Sequence, residues 1–306
     1  MRLSTQYQTQ RSIDSISERY AALQRTQDSI ASGSRIQSPS DDPQAAANAE
    51  RVRAQLARIE VDRRTIGFAK TILGQADGAL SDAGDALQAS REQLLAAGNA
   101  AYDSSDRAAI ATQLISLRGQ LLASANRADG SGGFLFGGQG SSSAPFVDNG
   151  QVSFSAQAGT SQVDAELSLT TSLDGRATFT EIAPADASGS NENIFDRLQT
   201  VIAVLRDPNS TASALQAALK TTTDALDRAI DSSSLRRTEV GEQLRRIDAH
   251  ESALSSTEAH SQTYLSGLID VNLAQAISQM SALQTNQDAA MKTYQRLSTM
   301  SLFNYL

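Results

Sequence analysis

One lane of residues constrains this chain more than anything else in it. Val52, Ile59, Ile66, Leu73, Leu80, Leu87 and Leu94 follow one another at a strict interval of seven. Such a repeat keeps one face of a helix turned to a partner along its whole length. Chance does not deliver seven consecutive Val, Ile or Leu residues in a chain that is 40% hydrophobic. The companion positions are small (Ala69, Ala76, Ala83) or polar (Asp62). The stripe is therefore narrow, and its partner helix must lie close. At about 1.5 Å per residue it runs for roughly 60 Å. Asp42 can cap its start, and Pro43 suits the first helical position. Gly98 and the stretch Tyr102-Asp103-Ser104-Ser105 end it. A second helix, expected over about 105–128, returns with Ile110, Leu114, Leu117, Leu121 and Leu122 and closes at Asp129-Gly130.

A partner lane exists in the C-terminal arm. A short helix comes first, through Ile194, Phe195, Leu198, Ile202 and Leu205, and Asp207-Pro208 stops it. Leu219, Leu226, Ser233, Val240, Ile247, Leu254, Ser261 and Leu268 then repeat at seven, with two serines as interruptions. The two lanes predict a mainly α fold, a long antiparallel helical bundle or coiled-coil rod built from both arms.

The ends of the chain carry a different pattern. From Ile269 a three-four spacing gives Ile269, Leu273, Ala276, Met280, Leu283, Gln287, Ala290, Tyr294, Leu297 and Ser301. Residues 1–30 do the same with Ile13, Ile16, Tyr20, Leu23, Gln27 and Ile30. Glutamine sits in both stripes, and the outer faces are rich in Ser, Thr and Gln. A solvated helix face is normally charged. Two readings stay open on these residues: a solvated pair of terminal helices, or helices buried among copies of the same chain.

Between the arms, residues 131–190 are rich in Gly, Ser, Thr and Phe and read as a small inserted β domain. Strands are expected at Phe134–Phe136, Gln151–Ser155, Val163–Leu169 and Ala177–Ile182. Asn149-Gly150 and Asp174-Gly175 are hairpin signals. A piece this small is marginal alone and must lean on the bundle.

Composition removes most chemistry. There is no cysteine, hence no thiol nucleophile, disulfide or cysteine metal site. Net charge is −8, with 26 basic against 34 acidic residues, which gives no nucleic-acid footprint. The longest apolar run, Val201–Leu205, is far short of the ~20 residues of a membrane span. The N-terminus has no apolar h-region, so these rules alone predict a cytoplasmic protein. His250 and His260, the two histidines, lie about 15 Å apart along one expected helix and cannot share a metal. Asp41-Asp42 reads as a helix cap rather than an acid/base pair. Gly130-Ser131-Gly132-Gly133 and Gly137-Gly138-Gln139-Gly140 lack the following helix and the Gly-Lys-Ser/Thr that a phosphate loop needs. No catalytic residue, metal or cofactor is expected, and an enzyme is a poor reading.

Two stretches carry a resemblance. Leu23–Ala47 contains Ser32-Gly33-Ser34-Arg35-Ile36 and Asp41-Asp42-Pro43 followed by alanines. It resembles the N-terminal signature of bacterial flagellins and hook-associated proteins, carried here by Ser32, Gly33, Arg35, Ile36, Asp41, Asp42 and Pro43. Residues 272–306, ending Leu302-Phe303-Asn304-Tyr305-Leu306, are similar to the hook–filament junction members more than to flagellin. So are Gly133-Phe134-Leu135-Phe136-Gly137-Gly138 with Pro145-Phe146, and Arg237-Thr238-Glu239-Val240-Gly241. Both arms are covered; the insert is matched only at its start.

The resemblance implies three layers: a terminal coiled-coil assembly domain (1–42 with 262–306), a helical rod (43–130 with 191–261) and an outer β-rich insert (131–190). It implies an extracellular place in the flagellum, reached by type III export without a cleaved signal, which reverses the cytoplasmic expectation. The implied partners are copies of the chain in a ring, a neighbouring hook-associated protein, flagellin, and an export chaperone on about 260–306. No cofactor comes with it. Assembly contacts are then expected on Ile13, Ile16, Tyr20, Leu23 and Ile30, and on Ile269, Leu273, Met280, Leu283, Tyr294, Leu297, Leu302 and Phe303. The rod core is expected on the lane from Val52 to Leu94. The alternatives are a flagellin filament subunit and, in another class, a surface binding module built on the insert.

Overall fold

Two long helices realise the two lanes. The computed structural model describes residues 2–99, 103–139, 142–162, 170–183 and 191–303. In chain order these give α1 (Arg2–Ser32), α2 (Pro43–Ala97), α3 (Ser104–Ala125), β1 (Phe146–Asp148), β2 (Val152–Phe154), β3 (Ser161–Gln162), β4 (Thr170–Ser172), α4 (Ile194–Arg206), α5 (Ala212–Ile269) and α6 (Leu273–Phe303). The architecture is mainly α with small β elements, as the sequence predicts. The chain divides into two compact units, residues 1–60 with 254–306, and residues 61–253.

In the second unit α2 and α5 run antiparallel. The register is marked by Lys70 Nζ to Asp248 (2.7 Å) and Glu251 (3.0 Å), Asp77 to Arg237 (3.1 Å), and Arg91 to Asp227 (2.5 Å). Ile66, Leu73, Leu80, Leu87 and Leu94 are all buried, with Ala69, Ala76 and Ala83 beside them. From α5 the buried set is Leu219, Leu226, Ser233, Val240 and Ile247. Ser233 interrupts the apolar lane without an orphaned hydroxyl, because its Oγ donates to the Leu80 carbonyl at 3.3 Å.

α3 opens on a reciprocal cap. Asp103 accepts from the Ser105 and Asp106 N–H groups, and Asp106 accepts from the Asp103 N–H. It ends at Ala125, a few residues earlier than expected. Asn126 leaves the helix to bond both ways with Phe146, Nδ2 to O at 2.8 Å and N to Oδ1 at 2.9 Å. The Gly130–Gly133 loop then closes on Asp129, which accepts from the N–H groups of Ser131 (2.7 Å) and Gly133 (2.9 Å). Burial works against the charge, but those N–H groups hold the Asp129 carboxyl below its ordinary value. Amides that could have faced a phosphate are therefore used internally.

The insert is less strand-like than the sequence suggests. β1 and β2 form the expected hairpin around Asn149-Gly150, pairing Phe146 with Phe154 and Asp148 with Val152. Gly150 takes φ +96 there, which glycine tolerates best. β3 pairs with β4; the expected strand Val163–Leu169 lies outside the described residues. Ala177–Ile182 is no strand. Residues Arg176–Thr180 form a π-helical turn, and Asp174-Gly175 leads into it instead of closing a hairpin. The reason is packing: the adjacent residues Thr178 and Phe179 are both buried, and a strand sends neighbours to opposite faces. Leu135 and Phe136 are likewise both buried, so Phe134–Phe136 is held by isolated bridges at Phe134 and Gly137.

What holds the insert is a phenylalanine cluster. Phe136, Phe146, Phe154, Phe179 and Phe195 meet at ring separations of 5.3–6.1 Å. Phe195 belongs to α4, so the cluster ties insert to helix. Polar ties add to it: Arg118 of α3 donates to the Phe195 carbonyl (3.1 Å) and to Asp148 (2.6 Å), and Asn193 donates to the Val152 carbonyl (2.6 Å).

Candidate functional site

The first unit holds the terminal helices and the joint where both arms break. α1 ends at Ser32, and Gly33 turns the chain with φ +70. The residues that follow lie against the break between α5 and α6. The Arg35 N–H donates to the Ile269 carbonyl (2.6 Å) and the Val271 N–H to the Gly33 carbonyl (3.0 Å), forming an antiparallel bridge at Ser34 and Asp270. The Arg35 guanidinium donates to the Leu268 carbonyl at 2.8 Å. It thus places a cation where α5 leaves carbonyls unsatisfied, the favourable end of the helix dipole.

Arg35 also reaches Asp42 at 3.3 Å. Asp42 caps α2, accepting from the Ala45 N–H at 3.0 Å. That backbone bond, helped by Arg35, holds the Asp42 carboxyl below its ordinary value. Asp41 accepts from the N–H groups of Gln37 (3.1 Å) and Ser38 (2.8 Å). Ser32 Oγ receives the Ser34 N–H and the Gln37 amide. The motif residues Ser32, Gly33, Arg35, Asp41 and Asp42 therefore do joint-building work, with Ile36 half-buried and Pro43 starting α2.

Beyond the joint, α1 and α6 pair antiparallel, with Arg19 donating to the Asn286 carbonyl at 3.4 Å. The pairing is shallow. Among the described side chains of these two helices, Ala276 alone is buried. Ile16, Leu23 and Ile30 of α1 are half-buried, as are Met280, Leu283, Gln287, Ala290 and Tyr294 of α6 and Ile269 at the end of α5. A cleft of about 630 Å³ opens between the helices, lined by Arg11, Ser15, Ile16, Arg19, Asn286 and Tyr294 among others.

The remaining expected contact residues point elsewhere. Ile13 (44% exposed), Tyr20 (53%) and Leu273 (53%) stand outside the seam. Ile277 (50%) and Met291 (46%) join them. At about 100° per residue, Ile13 and Tyr20 lie roughly 110° round α1 from the seam, and Leu273, Ile277 and Met291 roughly 60–100° round α6. In an antiparallel pair those rotations bring both sets to one face. The side chains of Leu297, Leu302 and Phe303 lie outside the described residues. Val52 and Ile59, the first two rungs of the long lane, are buried in this unit.

Sequence reasoning missed the roles of Arg35, Ile277 and Met291. The offset repeat Ile277–Gln284–Met291 was the available signal for the last two. Elsewhere the chemistry is spare. His250 is half-buried and His260 exposed on α5. No group of three or more metal-ligating side chains occurs among the described residues, and none of their helices is long and apolar enough to cross a membrane.

Comparison with known proteins agrees with this geometry. The family described as bacterial flagellin N-terminal helical region matches residues 3–141. Flagellar hook-associated protein 3 of Escherichia coli is 32% identical, with 99% of each chain covered. Its counterpart from Salmonella typhimurium is 30% identical over the same shares. Among solved structures, a putative flagellar hook-associated protein from Vibrio parahaemolyticus shares the fold with TM-score 0.67 and 21% identity, covering 75% of this chain and 100% of that one. FlgL from Xanthomonas campestris does so with TM-score 0.60 and 21% identity, covering 67% and 99%. With full-length relatives at that identity, the chain belongs to the flagellar hook-associated protein 3 family.

Proposed function

We propose that this protein is a structural component of the bacterial flagellum that joins hook to filament, as copies of itself packed through α1 and α6. The observation that carries the reading is the unfinished state of the terminal pair. Among the described side chains its seam buries Ala276 alone, and five large apolar residues share an exposed face. Ordering about sixty residues for so little burial is unfavourable in isolation and becomes favourable when neighbours cover that face. The full-length hook-associated relatives support the place of assembly.

In this reading residues 1–42 with 262–306 are the assembly domain, 43–130 with 191–261 the rod, and 131–190 the outward insert. The chain leaves the cell by flagellar type III export without a cleaved signal, with a chaperone on about 260–306. Flagellin and a further hook-associated protein are its neighbours. Its role is mechanical and uses no cofactor.

Deleting the gene tests this. Short hooks with flagellin shed into the medium are expected; full-length filaments would refute the assignment. A filament subunit is the second reading, favoured by the match to the flagellin N-terminal region. Copy number separates the two, because a junction protein is a trace component of sheared filaments and a flagellin is the bulk.

A further inference from the structure

Four places in the chain put glycine directly after Asn or Asp: Asp77-Gly78, Asp129-Gly130, Asn149-Gly150 and Asp174-Gly175. Glycine offers an unhindered backbone nitrogen that can attack the preceding side-chain carbonyl and close a five-membered ring. We propose that Asn149 is a site of spontaneous deamidation, and that its conversion loosens β1 from β2.

The three Asp-Gly pairs are held shut. Asp77-Gly78 lies inside α2, and Asp77 is paired with Arg237. Asp129 is occupied by the N–H groups of Ser131 and Gly133. Gly175 is buried, with its N–H on the Phe136 carbonyl at 3.1 Å, and a Cβ there would meet Phe136 Cβ at 2.7 Å and Phe146 Cζ at 2.8 Å. An ionised carboxylate also resists nucleophilic attack, whereas a neutral amide does not. The Asn149 turn is open on each count. Asn149, Gly150 and Gln151 are all exposed, and a Cβ at Gly150 would meet nothing within 4 Å. The Asn149 side-chain amide has no hydrogen bond among the described residues. None of the other nine asparagines precedes glycine. Asn126 and Asn193 spend their amides on Phe146, Val152 and Phe195, while Asn48 receives Arg51 and Asn272 the Gln275 N–H.

The step balances without an oxidant. The Gly150 nitrogen loses its proton and attacks Asn149 Cγ. The Cγ–Nδ2 bond breaks, and ammonia leaves with that proton, giving a cyclic imide. Water opens either imide carbonyl and leaves aspartate or isoaspartate at position 149. Asp148 acts as a brake. Its Oδ1 accepts the Gly150 N–H at 3.1 Å, and Arg118 holds its other oxygen at 2.6 Å. A negative charge beside that N–H opposes its deprotonation, so the folded turn reacts more slowly than the unfolded chain. Both products add a negative charge next to Asp148. Isoaspartate also lengthens the turn backbone by one carbon, against a register that sets Phe146 opposite Phe154 and Asp148 opposite Val152. Turn geometry sets hairpin register, so the pairing is weakened.

The full chain, aged at mildly alkaline pH and sampled by peptide mass spectrometry, tests this. Asn149 should gain about 1 Da before any other asparagine, with both products present. Hydrogen exchange on the aged fraction should show residues 146–154 several-fold less protected and residues 213–250 of α5 unchanged. Asn149→Gln closes the larger ring only slowly, and should keep its mass and its protection over the same time. Asp148→Ala should convert several-fold faster than the native chain. Asn149 intact when the same chain in guanidinium chloride has fully converted overturns the proposal, as does earlier conversion at another asparagine. An aged hairpin as protected as the fresh one overturns the loosening, and an Asp148→Ala chain that converts no faster overturns the brake.

Discussion

Phe179→Ala separates the support of the insert from that of the helices. Phe179 is 1% exposed and meets Phe136, Phe146 and Phe195 at 5.6, 5.6 and 6.1 Å. Truncating a buried phenylalanine costs about 3–5 kcal/mol, because the cluster closes only partly over the hole. A β-rich piece of this size has little stability of its own, so the loss is comparable to what keeps it folded. The α2–α5 seam shares none of those rings. Hydrogen exchange read by mass spectrometry should therefore show residues 142–162 and 170–183 losing about two to three and a half powers of ten in protection. Residues 213–250 of α5 should keep theirs, and the helical circular dichroism should hold. Phe179→Leu, which refills much of the space, should cost about 1 kcal/mol. If Phe179→Ala leaves the insert protected, or melts α5 with it, the reasoning is refuted.

Other expectations follow from single contacts. Leu73→Asp puts a carboxylate at a position 1% exposed in the α2–α5 seam and should cost several kcal/mol, lowering the melting temperature by about 10 °C or more; an unchanged melting temperature would show that the lane has another partner. Arg118→Met removes the bonds to the Phe195 carbonyl and to Asp148, which keeps the Gly150 N–H, for about 2–3 kcal/mol by urea unfolding. Arg118 holds the Asp148 carboxyl below its ordinary value of 3.8, so this contribution is present above about pH 4 and fades as pH falls through the lowered value; an Arg118→Met protein should lose that part of the acid dependence. Arg35→Ala should speed exchange at Val271 and at the last turn of α5 while sparing residues 61–253, and a global change would contradict the local role of the joint. In the free subunit, residues 1–40 and 265–306 should exchange fast, since their seam buries so little; strong protection in a verified monomer would count against assembly-coupled ordering.

How much of this was legible beforehand depended on the range of the interaction. The lane from Val52 to Leu94 and its partner were readable because a heptad repeat is a direct projection of helix geometry onto sequence, and even Ser233 and Ser261 fell on the buried face. The cap at Asp42 was readable because capping is local. The terminal stripes were only half readable. A three-four spacing marks a band wide enough for two contacts, and no local rule divides Ile16 and Leu23, in the seam, from Ile13 and Tyr20, outside it. Arg35 was known by resemblance, but its hold on the Leu268 and Ile269 carbonyls joins residues over two hundred positions apart. The π-helical turn at Arg176–Thr180 is hidden for a related reason: Ala177–Ile182 resembles a strand, while Thr178 and Phe179 are both buried and the Phe179 ring meets the distant Phe136 and Phe146.

The central claim is that the exposed face of the terminal pair builds the junction. It is tested most directly by Tyr20→Asp with Ile277→Asp, expressed in a strain lacking the native gene. Both side chains are already about half exposed, so the folded subunit should survive and residues 61–253 should keep their exchange protection. Electron microscopy should then show hooks without filaments, with the variant and flagellin both recovered from the medium. Normal filaments on those cells would contradict the account.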